Sequence, residues 1–249
     1  MMQHYQKEIV VNQFECDFQN RMKLSAILRQ VEQVSMENCN AIGVDAAMYE
    51  RTHTAFLLGK LTVEVSGGLT VGDRVLLDTS AALPIRAVYH RYTGLSRGGK
   101  EVAGVDTRWM LVDTQTRRIL RRPPEEFHLP FLEQPERELD LALEKMDAGE
   151  PAGEVRAEYS RVDVNRHLNN AEYADVVLNA LPDGCLTAGR VRKLTIYYHN
   201  ELPMGGTMRL FRQTAKDGFL FRGIRLSDEK LCFEARLWMA GALESEGEA

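Results

Sequence analysis

The chain is written twice. Set KLTVEVSGGLTVGDRVLL, beginning at Lys60, above KLTIYYHNELPMGGTMRL, beginning at Lys193: the two align without a gap, and Lys, Leu, Thr, a later Leu and a Gly recur. A second echo pairs DTRWMLV, which holds Trp109, with ARLWMAG, which holds Trp238; these are the only tryptophans. A third, fainter one sets CDFQNRMKLSAIL from Cys16 above VDVNRHLNNAEYA from Val162, so that Asp17 lies over Asp163. Three echoes in one order predict an internal duplication, and whatever the chain folds into must be a small module used twice.

Each half follows the same plan. LSAILRQVEQVSMENC carries Leu24, Ile27, Leu28, Val31 and Val34 at helical spacing, with Ser25 as the expected cap and Gly43 beyond the end. The strand-like runs TAFLLGKLTVEV, RVLLDTSAAL, RAVYHRYTGL and GVDTRWMLVD follow, separated by GG, VGD, SRGGK and DTQ turn signals. The second half has a helical pattern near AEYADVVLNAL and then RKLTIYY, TMRLFRQTA, GFLFRGIRL and CFEARLWM. One helix followed by hairpins implies an α+β fold, each half a curled antiparallel sheet around a central helix. A doubly wound α/β fold needs a helix after every strand and fits poorly.

Between the halves, RRPPEEFHLPFLEQPERELDLALEKMDAGEPAGE is rich in Pro and Glu, and its prolines interrupt any long element. The expected division is a first domain over 1–130, a linker over 131–150 and a second domain over 151–241. The acidic tail at 242–249 is expected to be disordered.

Composition narrows the function classes. A chain of 249 residues that is 44% hydrophobic and 27% charged has the make-up of an ordinary globular protein. The N-terminus MMQHYQKEIVV is polar and no run of ~18 apolar residues occurs, so a cytoplasmic protein without a membrane span is expected. Cys16, Cys39, Cys185 and Cys232 are far apart with no CxxC pair, which argues for buried free thiols rather than a zinc site or a disulfide framework. A net charge of −5 argues against wholesale nucleic-acid binding. GLSRGGKEVAG lacks the spacing of a phosphate-binding loop and reads as a hairpin turn. His90 and His199 read as surface strand residues, and no metal-ligand spacing joins them.

The stretch VDVNRHLNNAEYADVVLNAL, residues 162–181, holds the chemistry. Taken singly, Asp163 reads as a turn former, Asn169 as a helix N-cap and Glu201 as a turn glutamate before Pro203. Taken together, Asp163, Asn165 and His167 alternate, and in an extended segment they point to one side just before a helix begins. A helix N-terminus offers free N–H donors and a partial positive charge that can polarise a carbonyl.

The string D-x-N-x-H-L-N-N-x-x-Y from Asp163 to Tyr173, followed by a strand whose end bears Glu201, resembles the acyl-acyl carrier protein thioesterases, which are built of two fused hotdog domains. The resemblance covers nearly the whole chain. It implies hydrolysis of a fatty acyl thioester on acyl carrier protein, an active site of Asp163, Asn165, His167 and Glu201, no cofactor, and a possible homodimer of double-hotdog chains. An acyl-CoA thioesterase with the same site and a catalytically silent acyl-binding protein are the alternatives. Plant members place a cysteine directly after the matching glutamate; Leu202 stands there in this sequence, which leaves general-base hydrolysis by Glu201 or Asp163, with His167 and Asn165 orienting water or carbonyl.

The first copy is an internal control. Gln19 lies over Asn165, Arg21 over His167 and Gly68 over Glu201, so the first domain is expected to do no chemistry and to shape the acyl pocket. An acidic carrier protein needs a basic face to dock on. Arg190, Arg192 and Lys193 are the preferred candidates, ahead of Arg117, Arg118, Arg121 and Arg122.

Overall fold

The computed structural model describes residues 3–188 and 190–240. The tail at 242–249 lies outside them. The chain divides into two compact units, Met1–Asp140 and Leu141–Ala249. In the first unit, β1 (His4–Val10), α1 (Leu24–Ala41) and α2 (Ala46–Thr52) precede β2 (Thr54–Val65), β3 (Arg74–Ile85), β4 (Val88–Arg97) and β5 (Lys100–Asp113). In the second, β6 (Glu150–Arg156), α3 (Glu172–Asn179) and α4 (Cys185–Ala188) precede β7 (Arg190–Tyr198), β8 (Thr207–Ala215), β9 (Gly218–Arg225) and β10 (Leu231–Ala240).

Strand order is β1-β3-β4-β5-β2 in the first unit and β6-β8-β9-β10-β7 in the second, the same order twice. Neighbours within each unit pair antiparallel, which fits hairpins joined by short turns and excludes the doubly wound arrangement. The duplication extends to a bulge. On β2, Gly59 is the extra residue between Leu58, paired with Trp109, and Lys60, paired with Arg108. On β7, Arg192 is the extra residue between Val191, paired with Met239, and Lys193, paired with Trp238. Both bulges fall immediately before the lysine that opens the repeat.

The helices bury the stripe that the sequence spacing predicts. Leu24, Ile27, Leu28, Val31 and Val34 are all buried on α1, and Tyr173, Ala174, Val176 and Val177 on α3. Ser25 is not the cap. The helix opens two residues earlier with Lys23 at the N-cap, and Ser25 sits inside the first turn, buried, its hydroxyl without a hydrogen-bond partner. Lys23 N–H donates to the Glu15 carbonyl, and that backbone contact sets the entry. Gly43 follows the helix end at φ +79, a conformation that disfavours a side chain.

Other expectations need correction. His90 is buried, not on the surface, with Nε2 2.9 Å from Asp106 Oδ2; His199 is exposed and paired with Glu234 at 2.9 Å. All four cysteines are free, but only Cys232 is buried. SRGGK is a hairpin turn, with Gly98 and Gly99 both at positive φ between β4 and β5. β1, β6, α2 and α4 have no counterpart in the sequence patterning: β1 and β6 have no fully buried residue and so show no clean apolar alternation. Part of the Pro-rich segment packs on the first unit. Leu132 exchanges backbone hydrogen bonds with Ala81 and Leu83, and Phe127 and Leu139 are buried. Among the described residues no helix is long and apolar enough to cross a membrane.

Candidate active site

Residues 163–167 form a tight turn rather than an extended run. Asp163 and His167 close it, with Asp163 N–H donating to the His167 carbonyl at 2.9 Å and Arg166 N–H to the Asp163 carbonyl at 3.0 Å. Asp163 Oδ1 accepts from the N–H groups of Asn165 (2.8 Å) and His167 (3.3 Å), and Oδ2 from Asn165 Nδ2 at 3.3 Å. Arg166 is left-handed at φ +63. Asp163 therefore organises its own turn, as Asx residues do, and Asn165 is exposed beside it.

The turn delivers His167 to Glu201. Leu168 N–H donates to the Leu202 carbonyl (2.8 Å), Met204 N–H to the Arg166 carbonyl (2.8 Å), and His167 bridges Pro203. This pairing sets His167 Nε2 3.2 Å from Glu201 Oε2, with both side chains open to solvent. Leu202, directly after Glu201, is fully buried and anchors the segment. Arg225, at the end of β9, donates from Nη1 to the Glu201 carbonyl at 2.5 Å and is itself held by Asp228 at 2.7 Å. That pair raises the Arg225 pKa and lowers that of Asp228 to about 2, in each case chiefly through the hydrogen bond between them.

The first unit repeats the scaffold without the reactive groups. Asp17 Oδ1 accepts from the N–H groups of Gln19 and Arg21, both at 2.9 Å, and Asn20 is left-handed at φ +58. Met22 N–H donates to the Leu69 carbonyl at 2.8 Å, as Leu168 does to Leu202. Arg97 Nη1 reaches the Gly68 carbonyl at 2.9 Å and is paired with Asp73, as Arg225 is with Glu201 and Asp228. The Asp turn and the arginine anchor belong to the duplicated module. His167 and Glu201 belong to one copy alone. Arg97 and Arg225 escaped the sequence reading, because only the strand ends show that each reaches the same backbone carbonyl.

The surroundings are mixed in polarity. The start of α3 is not a bare positive end: Glu172 lies in its first turn, 2.9 Å from Arg161 Nε, with Asp175 after it. Asn169 is not the N-cap: Ala171 holds that position without a side-chain cap, and Asn169, two residues earlier, accepts from Ala171 N–H at 2.8 Å in an Asx-type turn that leads into α3. Tyr173 is buried between the Tyr198 and Phe233 rings, and burial raises its pKa. Burial likewise pushes up the Cys232 thiol, which keeps it protonated. Among the described residues no group of three or more His, Cys, Asp or Glu side chains is arranged to hold a metal.

Residues 2–129 match the acyl-ACP thioesterase N-terminal domain and residues 145–239 the acyl-ACP thioesterase C-terminal domain. The chain belongs to the acyl-ACP thioesterase family. It is 21% identical over 214 residues to a chloroplastic acyl-[acyl-carrier-protein] hydrolase of Cuphea viscosissima, covering 79% of this chain and 52% of that one. It is 21% identical over 225 residues to a chloroplastic oleoyl-acyl carrier protein thioesterase of Arabidopsis thaliana, covering 79% and 60%. The chain thus spans about half the length of the curated relatives it matches. An acyl-ACP thioesterase from Bacteroides thetaiotaomicron superimposes with a TM-score of 0.87 at 16% identity, covering 96% of this chain and 98% of that one. The 12:0-ACP thioesterase from Umbellularia californica superimposes with a TM-score of 0.81 at 15% identity, covering 97% and 99%. At these identities the likeness establishes the fold: each unit of this thioesterase-family chain is a hotdog domain.

The basic residues expected to dock a carrier differ in their surroundings. Arg192 is exposed on its bulge, whereas the Lys193 ammonium lies 4.9 Å from the Trp238 ring centroid. The Arg190 side chain lies outside the described residues. Arg117, Arg118, Arg121 and Arg122 are all exposed.

Proposed function

We propose that this chain hydrolyses fatty acyl thioesters carried on acyl carrier protein and releases free fatty acid, with His167 and Glu201 as the working pair. The observation that carries the reading is the 3.2 Å approach of His167 Nε2 to Glu201 Oε2, present in one copy of a scaffold that is otherwise duplicated. Glu201 draws a proton from water as the water oxygen attacks the thioester carbonyl carbon. The C–S bond then breaks, the acid departs, and the proton passes to the sulfur, leaving a free thiol. His167 orients Glu201, or the water between it and the substrate. Asp163 holds the turn that carries His167, and Asn165, exposed beside it, is placed to meet the substrate carbonyl. Leu202 removes any thiolate route through the position after the glutamate.

In this reading the first unit does no chemistry and contributes the acyl pocket. A cavity of ≈ 180 Å³, lined in part by Met36, Val44, Phe56, Trp109 and Phe131, supports that assignment. A role in fatty acid biosynthesis, a cytoplasmic setting and a homodimer of such chains are parts of the same proposal. The test is thiol release from acyl-carrier and acyl-CoA substrates compared in one assay. Turnover on both that vanishes in Glu201→Gln and favours the carrier supports it; no release from either rejects it.

A further inference from the structure

The cavity of the first unit has an uncompensated cation in its wall. Arg91, on β4, is only 6% exposed. Its Nη1 donates to Asn38 Oδ1 at 2.8 Å and Thr79 Oγ1 at 3.1 Å, and its Nη2 lies 3.6 Å from Cys39 Sγ. No carboxylate among the described residues lies within ion-pair distance of it. Arg236, also buried in the second unit, has both Asp217 and Glu144. A guanidinium is rarely buried without an anion, because neutral oxygens replace only part of its hydration. Burial accordingly works against the Arg91 charge.

A second polar group on the same wall lacks a partner. Tyr89 is 3% exposed and its hydroxyl makes no hydrogen bond. Positions 89 and 91 alternate along β4 and so face the same way, ~7 Å apart. Burial pushes the Tyr89 pKa up to about 12, so at neutral pH the phenol is a donor awaiting an acceptor. Glu32 also lines the cavity, but it lies ~9 Å along α1 from Asn38, which holds Arg91.

We propose that this cavity binds a free aliphatic monocarboxylate head-first, its carboxylate on Arg91 and the Tyr89 hydroxyl and its tail along Met36, Phe56, Trp109 and Phe131. The anion supplies the missing counter-charge and the missing acceptor together. The binding itself does not depend on the hydrolytic reading. Its consequence does: a released acid seated this way occupies the pocket that the next acyl chain needs.

The test is calorimetric titration of the full chain, with no thioester present, by octanoate and by 1-octanol. Wild type is expected to bind octanoate about tenfold or more tightly than the alcohol, the range of a charge-assisted hydrogen bond. Arg91→Met should bring octanoate to the level of octanol, and Tyr89→Phe should weaken octanoate severalfold while leaving octanol unchanged. Equal binding of acid and alcohol by wild type overturns the proposal, as does an undiminished preference in Arg91→Met. If Arg91→Met does not fold, Tyr89→Phe decides, and an unchanged preference there also overturns it. Turnover plays no part in the measurement, so a failure here leaves the thioester reaction untouched, and a failure of that reaction leaves this site standing.

Discussion

Arg225 Nη1 donates to the backbone carbonyl of Glu201 at 2.5 Å, and in the other copy Arg97 makes the matching bond to Gly68 at 2.9 Å. The anchor does not depend on the side chain it clamps, since Gly68 has none. What distinguishes the second copy is the carboxylate that Glu201 carries on the clamped segment.

This relation predicts an asymmetric response. Arg225→Gln frees the Glu201 segment and should lower kcat about tenfold with little change in KM, while Arg97→Gln changes stability by ~1–2 kcal/mol and turnover hardly at all. Steady-state kinetics beside urea denaturation separates the two. Equal effects of both substitutions on kcat would refute a positioning role for Arg225.

Asp163 and Glu201 should part company under conservative replacement. Asn at 163 keeps the oxygen that accepts from the 165 and 167 amides, so Asp163→Asn should retain activity within about tenfold, whereas Glu201→Gln should lose about a hundredfold to ten-thousandfold. Asp163→Ala and Asp17→Ala remove the same turn bonds, and each should destabilise its unit by ~1–2 kcal/mol, measured by urea unfolding. A Glu201→Gln enzyme near wild-type rate, with Asp163→Asn inactive, would transfer the base to Asp163.

Activity should not depend on cysteine. Cys232 is fully buried with its thiol pKa raised, and Leu202 occupies the position after Glu201. Replacing Cys16, Cys39, Cys185 and Cys232 by Ala should leave kcat within a few fold in protein that folds by circular dichroism. Loss confined to folded Cys185→Ala would restore a thiolate mechanism.

Docking of an acidic carrier on a chain of net charge −5 should be salt-sensitive. Raising salt from low to several hundred millimolar should weaken the apparent affinity for a carrier-borne substrate much more than for a short thioester analogue, because exposed charges are screened over about 10 Å at 0.1 M. Arg192→Glu should raise KM for the carrier substrate alone. Equal change on both substrates, or none, removes this surface from consideration.

The Asp228 carboxyl gives a pH test. Its folded pKa, about 2, lies below its ordinary value, so the Arg225 pair stabilises the fold above the unfolded pKa and is lost as pH falls toward 2. The stability difference between wild type and Asp228→Asn, followed by urea unfolding across acid pH, should shrink in that window. A difference independent of pH would show that the carboxylate charge contributes nothing.

By itself the sequence determined the duplication, eight of the ten strands and the two helical patterns; Glu201 joined Asp163, Asn165 and His167 only through the family resemblance. The patterns are legible because they rest on local facts: alternation along a strand, the helical stripe of Leu24 to Val34, and the same letters recurring in the same order. Only the tertiary structure decided the rest. The run from Asp163 to His167 is extended or turned according to hydrogen bonds that a two-residue period cannot report, and left-handed Arg166 carries no mark of it in its side chain. Arg225 becomes an anchor, and Arg91 a buried cation without an anion, through strand register and helix packing that join residues far apart along the chain. Apolar patterning specifies which face of an element is buried; which polar group meets which across the fold is settled by packing, because a hydrogen bond forms or fails within a few tenths of an ångström.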